Sequence, residues 1–574
     1  MSYERVPLER FAEVFSSYTE LSSVATGASI VSFSDEFFAE AFHLLLVEPA
    51  PSLKGQFGPK GALYSGWETR RHNPAYDWVI IKLGTTGTIS GFDIDTTHFN
   101  GNEAPQVSVQ ALNAPQGEAA PDANDSRWAE ILPKVDLGPS SRHLFTVPTT
   151  SATNYVKLNM YPDGGIARFR VYGDVVAIQP ADEHEVFDSA HVYAGGRVTF
   201  TSDQHFGVGA NIILPGRGKD MGDGWETKRS RQPNHKDWTI IKLGAPTHIS
   251  HICIDTAHFK GNFPQYCDVH AITSTSSIPP HSVSHAPPPT CSPASEAQAA
   301  VSENDEWQLI LPHANLGPHR EHFFQVESAE SKAFTHVRLT IYPDGGVKRV
   351  RVFGSKAPTP SAGLPPAATS TASDASAAGA SASKPLRTIP ALPLSPEAFA
   401  PFGQVIQSYP DVNAVPNPRG SKITPANFGT ALKYHKQTIL KGSYPPELGA
   451  TPGISVYRCE PTPNAQEVEV KALERHPYTN QAFVPMGADA SKRYIVAVGK
   501  NGADDKPDVR TLRAFIVRGD QGVVYDTAVW HLPMTVLDGP MDLACVETQI
   551  GNGDAADCVI VMLEEADRVH VKVQ

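Results

Sequence analysis

Gly-Trp-Glu-Thr-Arg-Arg at 66–71 returns as Gly-Trp-Glu-Thr-Lys-Arg at 224–229, and it does not return alone. Asp77-Trp78 recurs as Asp237-Trp238, and Asp95-Thr-Thr-His98-Phe99 as Asp255-Thr-Ala-His258-Phe259, each with Gly-Asn one residue on. Asn124-Asp125 before Trp128 matches Asn304-Asp305 before Trp307, and Tyr161-Pro-Asp-Gly-Gly165 matches Tyr342-Pro-Asp-Gly-Gly346. Matches kept in one order mark a unit of roughly 150 residues used twice, which sets the domain map before any local propensity is weighed. At 574 residues the chain is in any case too long for a single core.

Composition marks the remaining boundaries. Residues 355–386 are mostly Ala, Ser, Thr and Pro, with too little apolar surface to offset the entropy of ordering, so a disordered linker is expected there. A Ser/Pro/His-rich stretch at 274–302 has no equal-length counterpart in the first copy and reads as a loop insertion. The map is repeat one at 1–190, repeat two at 191–354, the linker, and a last domain at 387–574.

The fold class is mainly β. Trp78–Leu83 and Trp238–Leu243 have strand length and meet Gly84 and Gly244 as stops. Tyr155–Met160 and His336–Ile341 run into Pro-Asp-Gly-Gly turns, and alternating segments follow, so each pair predicts a hairpin. In those second strands Phe169 and Val171 face the core while Arg168 and Arg170 share the other face, as Arg349 and Arg351 do in the second copy. Many short strands with Gly/Pro turns point to two tandem jelly rolls. The last domain opens on a helix signal, Ser395 as cap and Pro396 at the first position with Gly403 as stop, and then reads as a small β-barrel or double sheet.

A net charge of −13 argues against nucleic acid, whose partners are basic. No apolar run approaches the ~18 residues of a membrane span. The start lacks a signal-peptide core, and six scattered cysteines without CxxC spacing fit free thiols, so a cytoplasmic protein is expected.

Several residue sets could carry chemistry. An Asp and a His three apart at a strand end (Asp95/His98, Asp255/His258) suit proton transfer, metal ligation, or simple loop capping. The Trp-Glu-Thr loops offer an aromatic floor (Trp225), a carboxylate (Glu226) and cations (Arg70, Arg71, Lys228, Arg229). With Arg349 and Arg351 they form a candidate carboxylate grip, and Asn262 is a further contact. Asp223 stands where the first copy has Ser65. That gives repeat two the fuller acidic set (Asp223, Glu226, Asp237, Asp255) and makes it the favoured active half. In the last domain His476, Gln481 and His531 are placed to converge on a metal or a substrate oxygen, with Lys506 a candidate base if desolvated.

The paired Trp-Glu-Thr-Arg, Asp-Thr-x-His-Phe-x-Gly-Asn and Tyr-Pro-Asp-Gly-Gly motifs resemble allantoicase over about residues 20 to 354. Glu474-Arg-His-Pro477, Gln481-Ala-Phe-Val-Pro-Met486, Lys506-Pro-Asp508, Leu512-Arg-Ala-Phe515 and Trp530-His-Leu-Pro533 resemble ureidoglycolate lyase over about 387 to 570. The resemblance implies two galactose-binding-like jelly rolls and a cupin-like barrel. It also implies two consecutive reactions: allantoate to ureidoglycolate and urea, then ureidoglycolate to glyoxylate and urea. Small ureides are the implied partners, no cofactor is firmly required, a divalent metal is a candidate, and a homo-oligomer is expected. On this reading His258 protonates departing urea while Asp255 or Glu226 positions water. Lys506 or His476 takes the hydroxyl proton in the second step, and Arg458 or Arg513 grips the carboxylate. Two rival readings remain at this level: non-catalytic jelly-roll binding modules with a cupin-like sensor, and a last domain that releases ammonia.

Overall fold

The computed structural model describes residues 2–276, 278–280, 307–326, 332–357, 387–416, 422–487 and 489–573. The expected linker (all but its first three residues) and most of the expected insertion lie outside them. Strand is the dominant state, 45% against 9% helix, as the mainly β class requires. The chain divides into two compact units, Met1–Ile249 with Val269–Leu309 and Ala329–Ala357, and Ser250–Asp268 with Ile310–Ser328 and Pro358–Gln574. The cut runs through the second repeat, which the sequence map treats as one domain.

Repeat one is built from β1 (Ser29–Phe33), β2 (Asp77–Asp95), β3 (Gln106–Leu112), β4 (Ala129–Asp136), β5 (Arg142–Thr146), β6 (Thr153–Tyr161) and β7 (Arg168–Val175). β2 organises it. Its first half pairs with β1 and β6, its second half with β5 and β7, so one strand carries two sets of neighbours along its length. This corrects two expectations. Gly84 does not end the strand; it permits close approach, since a Cβ there would sit 2.2 Å from the Thr26 carbonyl oxygen. Nor are β6 and β7 a hairpin, for each pairs with β2, and the Pro-Asp-Gly-Gly turn carries the chain from one end of that strand to the other. The period-two pattern does hold: Val79, Ile81, Phe92, Ile94, Phe169 and Val171 are buried in one core.

Repeat two reuses the plan in β8 (Arg197–Thr201), β9 (Asp237–Asp255), β10 (Glu321–Gln325), β11 (Phe334–Tyr342) and β12 (Arg349–Lys356). The first half of β9 pairs with β8 and β11, as β2 does with β1 and β6. Its last residues pair with β10, Ile252 opposite Phe324.

The C-terminal domain starts with β13 (Arg387–Pro393) and α1 (Pro396–Phe399), where Ser395 accepts the Ala398 N–H as the cap. The helix ends before Gly403, which instead begins β14 (Gly403–Ile406). Then come β15 (Thr451–Cys459), β16 (Glu467–Val470), β17 (Ala472–Arg475), β18 (Gln481–Pro485), β19 (Arg493–Gly499), β20 (Arg513–Arg518), β21 (Gly522–Tyr525), β22 (Trp530–His531), β23 (Met541–Gln549), β24 (Val559–Met562) and β25 (Val569–Val573). They form a nine-stranded sheet, whose main path runs β16-β25-β13-β20-β19-β22-β17-β24, and a five-stranded sheet, β14-β21-β18-β23-β15. Phe483, Leu543 and Tyr525 of the smaller sheet pack with Tyr494, Val496 and Phe515 of the larger, which gives the double sheet its core. No helix among the described residues is long and apolar enough to cross a membrane.

Candidate active sites

In repeat one the Trp-Glu-Thr-Arg loop forms a closed polar cluster. Glu68 is buried, and its Oε1 accepts from Arg71 Nη2 at 2.8 Å and Asn102 Nδ2 at 3.0 Å. Arg71 Nη1 donates to Asp163 Oδ1 at 3.3 Å, and the other Asp163 oxygen accepts the Asn73 N–H at 3.0 Å. Arg71 Nη2 also reaches the Asn102 carbonyl at 3.2 Å. Of the five N–H groups of a guanidinium, those on Nε and one on Nη1 remain without a protein partner. Burial raises the Glu68 pKa above the ordinary carboxylate range, against the pull of Asn102 and Arg71.

The other sequence candidates in the repeats are structural in their contacts. Trp225 is fully buried with its Nε1 donating to the Asp203 carbonyl at 2.7 Å, as Trp67 does to Asp35, so neither ring is a floor for substrate. Arg349 gives its N–H groups to the carbonyls of Gly216, Asp223 and Lys348 and to Asp223 Oδ2. Arg351 is held by the Leu214 and Gly216 carbonyls and by Asp188. Arg349 is thus committed to the protein, which corrects its place in the substrate grip, whereas Arg351 keeps a buried Nη1 without a hydrogen-bond partner. Asp223 itself pairs with the buried Lys348, where the first repeat has Ser65 and Ala167. The extra acidic residue of repeat two is thus one half of a charge pair. Asp255 Oδ1 accepts the Ala257 N–H at 2.8 Å, just as Asp95 accepts that of Thr97. In repeat one His98 turns to the Ala50 carbonyl, not to Asp95, so there the motif is a capped turn. His258 is half-buried with its N–H on His319 Nδ1 at 2.7 Å, and Glu226 and Asn262 are half-buried. Arg229 is exposed and makes no ion pair among the described residues, unlike Arg71.

The C-terminal domain brings its candidates together. His476, Gln481 and His531 are each less than a tenth exposed, at 9%, 2% and 1%. The Asp557 carbonyl lies 2.7 Å from His476 Nδ1, and the Val529 carbonyl 2.9 Å from His531 Nδ1. A carbonyl only accepts, so both Nδ1 atoms carry the proton and both Nε2 atoms present lone pairs. Neither Nε2 has a hydrogen-bond partner. Glu474 completes a group whose ligand atoms lie within 4.8 Å of one another. Gln481 donates to Glu547 Oε2 at 3.0 Å, which leaves its Oε1 as another buried acceptor without a donor. Burial lowers the His531 pKa to about 3 and keeps that ring neutral. Tyr525 stacks on it at 3.9 Å between ring centroids. The cavity beside them has a volume of about 310 Å³ and is lined by Tyr457, Glu474, His476, Glu547, Asp557 and Cys558 among others. No Arg or Lys is among its described lining residues.

An allantoicase repeat model matches residues 19–176 and 187–357, more than half of the chain. This chain belongs to the allantoicase family. A probable allantoicase of Schizosaccharomyces pombe is 47% identical over 347 residues, 59% of this chain and 94% of its own length. The allantoicase of Saccharomyces cerevisiae is 46% identical over 336 residues, 57% of this chain and 91% of its own. The crystal structure of a Saccharomyces cerevisiae allantoicase superposes with a TM-score of 0.52 at 40% identity, covering 62% of this chain and all of that one. The remainder matches the ureidoglycolate lyase model over residues 386–571. The chain is therefore a bifunctional enzyme of allantoin catabolism: it hydrolyses allantoate to ureidoglycolate and urea and cleaves ureidoglycolate to glyoxylate and urea. Non-catalytic binding modules and an ammonia-releasing last domain are set aside.

Within this allantoicase–lyase chain, three candidates of the last domain fall outside the histidine cavity. Lys506 is exposed on a turn, its backbone N–H on Asp504, and lacks the burial a lysine base needs. Arg458 is 64% exposed in its side chain and pairs with Asp542 at 2.9 Å on the outer face of β15. Arg513 lines a separate cavity of about 160 Å³ with Glu397 and Thr511. Glu474, Glu547, Asp557 and Tyr457 were not singled out from sequence. Glu547 had a signal: on β23 it shares the buried parity of Leu543 and Cys545, where a carboxylate is out of place unless it works.

Proposed function

We propose that allantoate is processed at the Glu68–Arg71–Asn102–Asp163 cluster and ureidoglycolate at the His476–His531 cavity, with a divalent metal in the second site. For the first step, the spare N–H groups of Arg71 grip the allantoate carboxylate. Glu68, made more basic by burial, takes a proton from the attacking water and returns it to the departing urea nitrogen, and Asn102 holds its carboxylate in place. Changing Glu68 to Gln keeps shape and hydrogen bonding and removes the base. Undiminished urea release from allantoate in E68Q would falsify this role.

For the second step, the observation that carries the reading is a set of buried lone pairs (His476 Nε2, His531 Nε2, Gln481 Oε1) beside Glu474, with no donor among them. Buried acceptors left without a donor are costly unless a cation or a ligand meets them. The donor set fits a borderline divalent ion, and both imidazoles have the backbone carbonyl partner on Nδ1 that orients a metal-binding histidine. Such an ion, when bound, supplies the positive charge that a carboxylate substrate needs and that the lining residues lack, and it eases loss of the hydroxyl proton. Glu547, buried beside His476 and oriented by Gln481, is placed to receive that proton. The Tyr457 phenol stays protonated, because burial pushes its pKa up, and donates to the urea nitrogen as the C–N bond breaks. The test is metal content together with a balance of both ureas. H531A should lose bound metal and glyoxylate while allantoate still yields one urea; full metal content and full glyoxylate would overturn it. We also propose a cytoplasmic homo-oligomer, a setting supported by free thiols at Cys253, Cys267, Cys459, Cys545 and Cys558. Sedimentation of the purified chain tests the assembly.

A further inference from the structure

The loops that follow β2 and β9 are held by the same frame of hydrogen bonds. Thr96 Oγ1 donates to the Gly138 carbonyl at 2.7 Å, and Thr256 Oγ1 to the Gly317 carbonyl at 2.6 Å. The Gly138 N–H meets His143 Nε2 at 3.1 Å, and the Gly317 N–H meets His322 Nε2 at 2.7 Å. On this shared frame two neutral residues of the first copy become cations in the second: Asn100 is replaced by Lys260, and Ser141 by Arg320. Both cations meet carboxylates of the C-terminal domain, with which Ser250–Asp268 and Ile310–Ser328 share one compact unit. Lys260 Nζ lies 2.6 Å from Asp411 Oδ2, and Arg320 Nη1 lies 3.5 Å from Glu397 Oε1.

Glu397 shows that this seam is built. It stands in the first turn of α1, yet its side chain is 3% exposed and neither oxygen has a hydrogen-bond partner. His322 is 3.9 Å away but neutral, since its Nε2 accepts the Gly317 N–H and burial lowers its pKa. Arg320 is therefore the cation that offsets the burial of the carboxylate. A Cβ at Gly317 would stand 2.1 Å from Glu397 Oε1, whereas at Gly138 the nearest atom would be 3.6 Å away. Only the second copy uses the space its glycine leaves.

We propose that residues 256–262 and 317–322 of the second repeat form a docking surface for residues 396–411 of the C-terminal domain. Lys260 and Arg320 are its anchors, and it holds the lyase domain without help from the 355–386 stretch. Lys260 stands two residues before Asn262, the counterpart of Asn102, so the lyase domain braces the second copy's motif loop directly.

The test starts from the full chain with a protease site placed at Ser370, and reads the dissociation constant between the two pieces after cutting. The cut parent should remain one complex at micromolar concentration. Arg320→Ala strands the buried Glu397 carboxylate and should raise the constant by about 100-fold or more. R320M/E397Q, which removes both charges, should recover most of that loss. Lys260→Ala touches an exposed pair and should raise the constant by less than about tenfold. Gly317→Ala should release the domain, while Gly138→Ala, the same change on the first copy's frame, should not. Circular dichroism, with urea release from allantoate, shows that each variant is folded before cutting. Pieces of the cut parent that separate at micromolar concentration, or folded R320A or G317A that binds as the parent does, would overturn the proposal.

Discussion

Asp223 and Lys348 separate a structural reading of the second repeat from a catalytic one. Lys348 has a side chain with no exposure, its Nζ touches Asp223 and the Asp220 carbonyl, and Asp223 also receives Arg349 at 3.2 Å. The first repeat solves the same position with Ser65 and Ala167, two small residues and no charge. D223S therefore leaves a buried ammonium without its partner, a loss of about 3–5 kcal/mol. D223S/K348A recreates the first repeat's pair and should recover most of that loss. At roughly 2–4 °C per kcal/mol for a unit of this size, the single variant should melt about 6–20 °C below the parent in its first transition. The deficit should also depend on pH. Burial, and then Arg349, draws the Lys348 pKa down to about 7, against about 10.4 in an unfolded chain. With the folded pKa below the unfolded one, the unfolded state holds more protons between those values, so stability rises with pH across that window. In D223S, with Asp220 left as the only carboxylate opposing the shift, Lys348 should lose its proton at a lower pH than in the parent, so the gap should narrow as pH rises to about 7 and stay constant above it. Differential scanning calorimetry of the four-member cycle measures both effects. If D223S melts with the parent, or the double variant is no better than the single, the charge-pair account fails. A stable double variant with allantoate turnover down more than about 100-fold would return Asp223 to catalysis.

Other outcomes follow from the two sites. E68Q should cut urea release from allantoate by about 10²–10⁴-fold at unchanged melting temperature. The parent's kcat/KM should fall as pH drops through the Glu68 pKa, a limb placed above the ordinary carboxylate range and missing in the variant; a pH–rate profile reads this. Dialysis against a chelator should abolish glyoxylate formation and spare the first urea, with recovery on adding back a divalent ion, measured by parallel urea and glyoxylate assays. K506A and R458A should convert ureidoglycolate within about threefold of the parent, because neither side chain lines the cavity; a KM raised tenfold or more in R458A would show that it reaches substrate. W225F should cost about 1–3 kcal/mol by removing the donor to the Asp203 carbonyl of a half-buried residue while leaving KM for allantoate alone, checked by calorimetry and steady-state kinetics.

What could be read from the sequence, and what could not, follows from how far each property reaches along the chain. Duplication, strand periodicity and the Ser395 cap are local or repeated patterns, and they survive in the fold. The convergence of His476, Gln481 and His531 was also legible, because a small double sheet gives its inward-facing polar residues few places to point. The failures share one cause. An arginine, a tryptophan or an Asp–His pair looks free to act until its partners are known, and those partners lie far off in sequence. Arg349 is spent on a carbonyl at position 216, Trp225 on one at 203, and Asp223 on a lysine at 348. Hydrogen-bond capacity is finite, so a group satisfied by the protein has little left for substrate. The converse guides the proposals: Arg71 keeps spare N–H groups, and the Nε2 atoms of His476, on the wall of a cavity, and of His531, buried behind it, keep spare lone pairs. A buried group with unmet capacity is unfavourable in the empty protein and is relieved only by what binds there. By that criterion the histidine cavity stands out, whereas the proposal for Glu68 and Arg71 rests on the raised Glu68 pKa and on an Arg71 side chain that is 32% exposed with N–H groups the protein does not fill.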